Sequence, residues 1–168
     1  MYKDGKIQSM MPRYYKSFNK LQWIKTVMRM IIQNIISDGY ERFLVVNTIE
    51  NKKLFVHYIE YSEYLNDNEK TKIRNVGDIL SAEIRIDLVS NSYITNRKLD
   101  FFQEIDNSSS IKAIIEVKEV IDEYTVFAKT SLCNEVILIE FENKITYQQN
   151  DRVYIEGSLE IEPSENDK

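Results

Sequence analysis

Residues 79–89, ILSAEIRIDLV, carry the clearest periodic pattern in the chain. One face of this stretch holds Leu80, Ala82, Ile84, Ile86 and Leu88, while the other holds Ser81, Glu83, Arg85 and Asp87. Alternation of apolar and polar side chains is typical of an antiparallel strand with one buried and one solvated face. The stretch therefore predicts a half-buried strand within a mainly β fold.

Further strand patterns lie on both sides of this stretch. Upstream, two segments rich in Phe, Val, Ile and Tyr are separated by Glu50, Asn51 and Lys52, which predicts a hairpin. The predicted strands cover residues 42–49, 53–59, 79–89, 99–105, 111–121, 124–129, 136–142 and 152–162. We expect a mainly β (α+β) chain that forms either an antiparallel barrel or two packed sheets.

One long amphipathic helix is predicted before these strands, over residues 17–37. Ser17 is a suitable N-cap, and Gly39 is a suitable residue to end the helix. The apolar stripe, at spacings of three and four, is formed by Leu21, Ile24, Met28, Ile31, Ile32 and Ile35. Because such a stripe would be adhesive in water, we expect it to pack on the β core, with a partner groove or a membrane surface as alternatives.

The length of 168 residues suits one domain. The expected organisation is a flexible basic arm over residues 1–16, one globular β domain over 17–162 and a disordered tail over 163–168. Possible subdomain seams are residues 66–75 and 106–110. The single cysteine, Cys133, cannot form an intramolecular disulfide, so a cytoplasmic location is expected. The sequence contains no run of about 20 apolar residues, so we expect no transmembrane or targeting segment.

Charge divides the chain into two parts. Residues 1–29 hold seven basic side chains and one acidic one, a net charge of +6, and the rest holds 15 basic and 26 acidic ones, a net charge of −11. A body of that sign repels phosphate backbones and attracts basic surfaces. The basic residues 1–29 are suited to bind an acidic partner, an anionic lipid surface or the acidic remainder of the protein itself.

Four consecutive strand patterns, IKAIIEVKEVI, YTVFAK, VILIEF and NDRVYIEGSLEI, fall within residues 111–161. This segment resembles part of an OB-fold barrel. The resemblance implies that Gly157 marks a strand bend or a close approach of another backbone. The segment departs from the family at residues 143–149, where the family often has a helix. OB barrels bind single-stranded nucleic acid, oligosaccharides or proteins, so the resemblance leaves the ligand open.

Few residues point to catalysis. His57 is the sole histidine, so any histidine-based site depends on it, and we expect a neutral strand histidine with a hydrogen-bond partner. Cys133 lies in the loop TSLCNE and is expected to be an ordinary thiol. The four glycines form no phosphate-binding loop, and most carboxylates alternate with apolar residues as on a solvated strand face. We therefore predict no catalytic residue, no metal site and no cofactor.

The leading functional prediction is a non-enzymatic, acidic module that binds another protein, one with a basic surface. Small bacterial inhibitor and immunity proteins share this charge and size, which is an analogy only. The alternative is binding of single-stranded nucleic acid on an OB-like face, with Tyr124, Phe127 and Tyr154 as stacking residues, although the acidic body opposes it. A third hypothesis is an association role for the basic N-terminus. Its candidate residues are Arg13, Tyr14, Tyr15, Lys16 and Trp23.

Overall fold

The structure, a computed structural model, describes residues 26–38, 40–60, 66, 68–69 and 73–164. Within these ranges the chain forms nine strands and no helix, so the mainly β prediction is confirmed. The strands are β1 (Val27–Asp38), β2 (Glu41–Thr48), β3 (Lys53–Ile59), β4 (Ile79–Ile94), β5 (Asp100–Phe102), β6 (Ser110–Val120), β7 (Thr125–Lys129), β8 (Val136–Phe141) and β9 (Arg152–Pro163).

The strand pairings close two rings of five strands each. The first ring runs β1, β2, β3, β9, β4 and back to β1, and the second runs β4, β8, β7, β6, β9 and back to β4. Among the described strands, only β3 with β9 and β4 with β8 pair in parallel, and β5 lies outside the rings, paired with β6. The fold is thus neither a single barrel nor two separate sheets, because both rings share β4 and β9.

The two shared strands pass from one ring into the other. In β4, residues 79–83 pair with β1, whereas residues 85–89 pair with β8. In β9, residues 152–158 pair with β6, whereas Glu160 pairs with His57 of β3. Each shared strand therefore contributes one half to each ring.

Both shared strands are irregular where they cross between the rings. Leu88 of β4 has a φ of 55°, and the register of β4 shifts here against both β8 and β9. On β9, a Cβ atom at Gly157 would lie 2.8 Å from the carbonyl oxygen of Asp87 and 2.9 Å from Cγ2 of Ile86. Glycine at this position is required for the close approach of the two backbones.

One continuous apolar core fills both rings. Inward side chains such as Met30, Leu44 and Val56 line the first ring, and Ile115 and Ile137 line the second, all at most 1% exposed. Every second residue of these strands points inward, which leaves the intervening polar side chains on the outer surface. Polar and charged side chains that could bind a ligand therefore lie on the outer surface.

The predicted helix is wrong for residues 27–37, which form most of β1. Inward positions here are Met28, Met30, Ile32 and Ile35, because an extra residue between Ile32 and Asn34 shifts the register against β2. The bulge places the inward residues Ile32 and Ile35 three positions apart instead of two. Together with Met28, four positions before Ile32, they have the spacings of four and three that imitate a helix. A strand also lets β1 pair with both β2 and β4, which satisfies backbone groups on both sides. Residues 17–25, with the arm 1–16, lie outside the described residues.

The eight predicted strands are all present, with changes in their bounds. β4 continues to Ile94, and β5 is limited to Asp100–Phe102. The predicted disordered tail begins too early, because Pro163 is buried in β9 and the backbone NH of Ser164 donates to the carbonyl oxygen of Ser81 at 2.9 Å. Residues 165–168 lie outside the described residues.

Candidate functional site

A band of charged side chains crosses the outer surface of five adjacent strands, β2, β3, β9, β4 and β8. Its members alternate with core residues, as a solvated strand face does. We name this surface the acidic band, and its residues are Glu41, His57, Glu160, Glu162, Glu83, Arg85, Asp87 and Glu140. The acidic band thus contains six carboxylates, one guanidinium and one imidazole.

The acidic band deepens into a cleft where β4 passes from one ring to the other. This junction cleft has a volume of about 280 Å³ and is lined by His57, Asp87, Leu88, Glu140, Phe141, Glu142 and Glu160. Two other clefts, of about 290 and 340 Å³, are lined largely by serine, asparagine and neighbouring loop residues. Small-molecule sites usually exceed about 300 Å³, so the junction cleft suits one inserted side chain better than a cofactor.

Leu88 shapes the rim of the junction cleft. Its φ of 55° is uncommon for a bulky residue, and its apolar side chain is 62% exposed. Such a backbone conformation costs on the order of 1–3 kcal/mol and persists where surrounding structure enforces it, often at functional sites. The register of β4 shifts against β8 and against β9 beside this residue, where the cleft lies.

His57 is held on one side of the cleft by carboxylates. Its Nδ1 lies 2.6 Å from Oε2 of Glu160, and its Nε2 lies 3.9 Å from Oε2 of Glu41. The hydrogen bond with Glu160 raises the pKa of His57, and the charge of Glu41 adds to this, against the opposing effect of burial. The predicted partner is present. Because that partner is a carboxylate, it favours the protonated ring over the neutral one that we predicted.

Glu160 is fixed in place by a chain of hydroxyl groups. Its Oε1 accepts a hydrogen bond from Oγ of Ser158 at 2.6 Å, and that hydroxyl lies 2.8 Å from Oγ of Ser109. The Glu160 side chain is only 12% exposed. A carboxylate held on both oxygens is a preorganised acceptor for a cationic group.

Asp87 is the most perturbed acid of the cleft. Nε of Arg85 lies 2.7 Å from its Oδ2, whereas within the described part of the chain its buried Oδ1 accepts no hydrogen bond. Burial raises the pKa of Asp87 to about 6, and the charges of Glu140 and Glu160 add to this, while Arg85 opposes it. Arg85 compensates Asp87 incompletely because Glu162 also lies 3.8 Å from its Nη1.

Asp87→Asn is expected to raise the free energy of unfolding by about 3 kcal/mol at pH 8, from a rise of about two pKa units at about 1.4 kcal/mol per unit. The folded-state pKa of Asp87 is raised to about 6, so the stabilisation from its protonated form is present at low pH and is lost as pH rises through 6. At pH 3.5, below the ordinary aspartate pKa of 3.8, the variant and the wild type should therefore differ little. Urea unfolding at both pH values measures this, with Asp106→Asn on the exposed surface as control. An equal difference at the two pH values would contradict it.

Tyr154, a predicted stacking residue, is itself covered. It is 8% exposed and stacks on Tyr93, with ring centroids 4.8 Å apart and an interplanar angle of 24°. Its hydroxyl donates to Oε1 of Glu156 at 2.7 Å. The exposed member of the pair is Tyr93, at 50%, which the sequence did not single out.

The three predicted stacking residues do not form one platform. Tyr154 of β9 pairs with Ile114 of β6. Phe127, which is half-buried on β7, pairs with Glu119, also on β6. Five residues of β6 separate these positions, about 17 Å at about 3.4 Å per residue. Tyr124 precedes β7, where its carbonyl oxygen accepts from the backbone NH of Phe141. The other candidates, Arg13, Tyr14, Tyr15, Lys16 and Trp23, lie outside the described residues.

Cys133 has the environment of an unreactive thiol. It is partly buried, its Sγ donates to the carbonyl oxygen of Glu135 at 3.5 Å, and burial raises its pKa. Across the described ranges, no group of three or more His, Cys, Asp or Glu side chains is arranged to hold a metal ion. The same ranges contain no helix with the length and apolar character needed to cross a membrane.

Comparison with models of protein families, with curated proteins and with solved structures finds no match for this chain. Sequence reasoning missed the cleft residues Asp87, Glu140 and Glu160 because each has the local pattern of a solvated strand face. Only the strand order brings them together.

Proposed function

We propose that this protein is a non-enzymatic binding module that holds a basic segment of another protein on its acidic band. The observation that supports this is the junction cleft, where Asp87, Glu140, Glu142 and Glu160 line a concavity of side-chain size. A lysine or arginine side chain entering the cleft would donate charge-assisted hydrogen bonds to these acceptors. The remaining carboxylates of the acidic band would attract neighbouring basic residues of the same segment.

The depth of the cleft makes its charges more effective than those of an open surface. Side chains of Asp87 and Glu160 are 15% and 12% exposed, so salt screens them less than the outer carboxylates of the band. Exposed ion pairs contribute only about 0.2–1 kcal/mol each. Affinity therefore requires several pairs at once, centred on the cleft, and electrostatic complementarity would chiefly set the association rate and partner choice.

The OB-like character of the second ring is part of this proposal. An OB barrel has five strands, and residues 111–161 supply four of the second ring's strands, β6 to β9. The fifth is β4, which precedes them in sequence. OB barrels include protein-binding modules, so the resemblance is compatible with a protein partner. We place the protein in the cytoplasm, where Cys133 stays reduced.

Single-stranded nucleic acid is the second candidate ligand. The stack of Tyr93 on Tyr154 supports it, because the exposed Tyr93 ring could stack on a base. Arg152 and Lys112 lie on the strands beside this stack, but Glu156 and Glu104 accept hydrogen bonds from Tyr154 and Lys112. The basic groove that such proteins use is therefore missing from this face as the structure describes it.

A fluorescent decalysine peptide is a suitable probe of the proposed function. At low salt and pH 8 we expect the full chain to bind it, measured by anisotropy, and to bind a ten-nucleotide single-stranded DNA much more weakly. Glu140→Gln combined with Glu142→Gln should weaken decalysine binding about tenfold, from two lost charges at about 0.5–1 kcal/mol each. Glu50→Gln with Glu135→Gln is the matched control, because it removes the same charge from exposed positions outside both the acidic band and the junction cleft.

The comparison of the two double variants decides the proposal. Equal weakening by both would show attraction to net charge alone and would contradict a site at the cleft. Tighter binding of the oligonucleotide than of decalysine would favour the nucleic-acid function instead. Near-ultraviolet circular dichroism of each variant verifies that the fold is retained.

A further inference from the structure

We propose that the junction cleft is acid-sensitive and releases its basic ligand when the pH falls from 8 to 5. This inference rests on the proposed function and adds its regulation. Its basis is the arrangement of two titratable side chains, Asp87 and His57, on opposite sides of the same carboxylate, Glu160.

Asp87 changes charge within this range because its surroundings hold too many carboxylates for one arginine. The groups that face it are Arg85 on its own strand, Glu160 and Glu162 on β9, Glu140 and Glu142 around the end of β8, and His57 on β3. Burial and the neighbouring acids raise its pKa to about 6, so acidification removes its negative charge. The cleft then loses one of its four carboxylate charges.

His57 is a cation at the acid end of this range. The groups that face it are Glu160 on β9, Glu41 on β2, and Asp87 across the cleft, with the Phe43 ring 4.7 Å from its own. Its pKa is raised by the hydrogen bond to Glu160, so protonation begins above the ordinary value of 6.5. A protonated His57 neutralises the negative charge of Glu160, with which a lysine of the ligand would otherwise pair.

The two protonations act in the same direction. At pH 8, Asp87 and Glu160 both offer negative charge to a ligand, together with Glu140 and Glu142. At pH 5, Asp87 is neutral and His57 is a cation, so both side chains make the charge around the cleft less negative. Because both groups border Glu160, their titrations are coupled and belong to the site as a whole.

The first test follows decalysine binding to the full chain from pH 5 to pH 8.5 at constant ionic strength. Lysine side chains stay charged throughout, so any change belongs to the protein. We expect the dissociation constant to rise about tenfold between pH 8 and pH 5, as for two charges at about 0.5–1 kcal/mol each. Asp87→Asn with His57→Gln should reduce this change to less than twofold, whereas Glu142→Gln should weaken binding and keep the pH dependence.

The second test needs no variant, because the chain contains one histidine. Proton NMR of the imidazole signals reports the pKa of His57 directly. By linkage, a ligand that prefers the neutral ring must lower this pKa on binding. Saturating decalysine is expected to lower it by about 0.5 unit, and the neutral peptide decaglycine should leave it unchanged.

The outcomes separate this inference from the function on which it rests. Absence of decalysine binding at pH 8 would contradict the proposed function. Equal binding at pH 5 and pH 8, or a His57 pKa that decalysine does not move, would contradict the acid-sensitive cleft alone. An unchanged pH dependence in the folded Asp87→Asn, His57→Gln variant would also overturn it.

Discussion

Gly157→Ala is expected to lower the free energy of unfolding by about 3 kcal/mol. The added Cβ would lie 2.8 Å from the carbonyl oxygen of Asp87 and 3.1 Å from Cγ2 of Val89. The nearest of these atoms belongs to the backbone, which cannot move aside without disturbing the point where β4 and β9 change rings. Urea unfolding monitored by circular dichroism measures the loss.

Gly77→Ala is the matched control for this substitution. Gly77 has a φ of 95°, and no atom of the described structure lies within 4 Å of a Cβ built there. Alanine at Gly77 is therefore disfavoured by backbone conformation alone, at about 1 kcal/mol. Equal losses at the two glycines would contradict the steric explanation for Gly157.

Glu60→Gln is expected to cost about 3 kcal/mol, because it removes the carboxylate from a buried ion pair. Glu60 lies on the inward side of the first ring, where its Oε2 is 3.2 Å from Nε of Arg74. Arg74 also donates from Nε to the Tyr58 hydroxyl, and the fully buried Arg42 pairs with Tyr58 across β2 and β3. Burial raises the pKa of Tyr58 to about 12, so that ring stays neutral and cannot replace the lost negative charge.

A double variant tests whether the lost pairing causes this effect. Glu60→Gln together with Arg74→Met removes both partners, and replacement of a buried pair is usually less harmful than removal of one partner. We therefore expect the double variant to unfold at a higher urea concentration than Glu60→Gln alone. Additive losses in the double-mutant cycle would show that the two residues do not interact.

The strands could be predicted from sequence because their side chains alternate, and the exception has a physical cause. In β4, each apolar residue from Leu80 to Ile86 is buried, as its pattern indicates. In β1 a bulge after Ile32 adds one residue, so the inward set includes Ile35 in place of Asn34. Local periodicity cannot distinguish such a bulge from a helical stripe. Only pairing with β2 and β4 decides between them.

The candidate site was much less accessible to sequence reasoning than the fold. His57 and Glu160 are 103 positions apart, and no local signal links them. Their contact follows from the parallel placement of β3 beside β9, which the alternation of either strand leaves open. The aromatic residues singled out from sequence were marked by residue type alone, and strand order separates Phe127 from Tyr154.

The sharing of β9 by both rings also determines when this protein can fold during its synthesis. β9 leaves the ribosome after the other eight described strands, yet it pairs with β3, β4 and β6. Until it emerges, neither ring can close, and the nascent chain carries strands with unpaired edges. Domains often fold as they are translated, one after another. Here both rings must wait for the same strand, so a ribosome that stalls before Arg152 would hold a chain in which neither ring is closed.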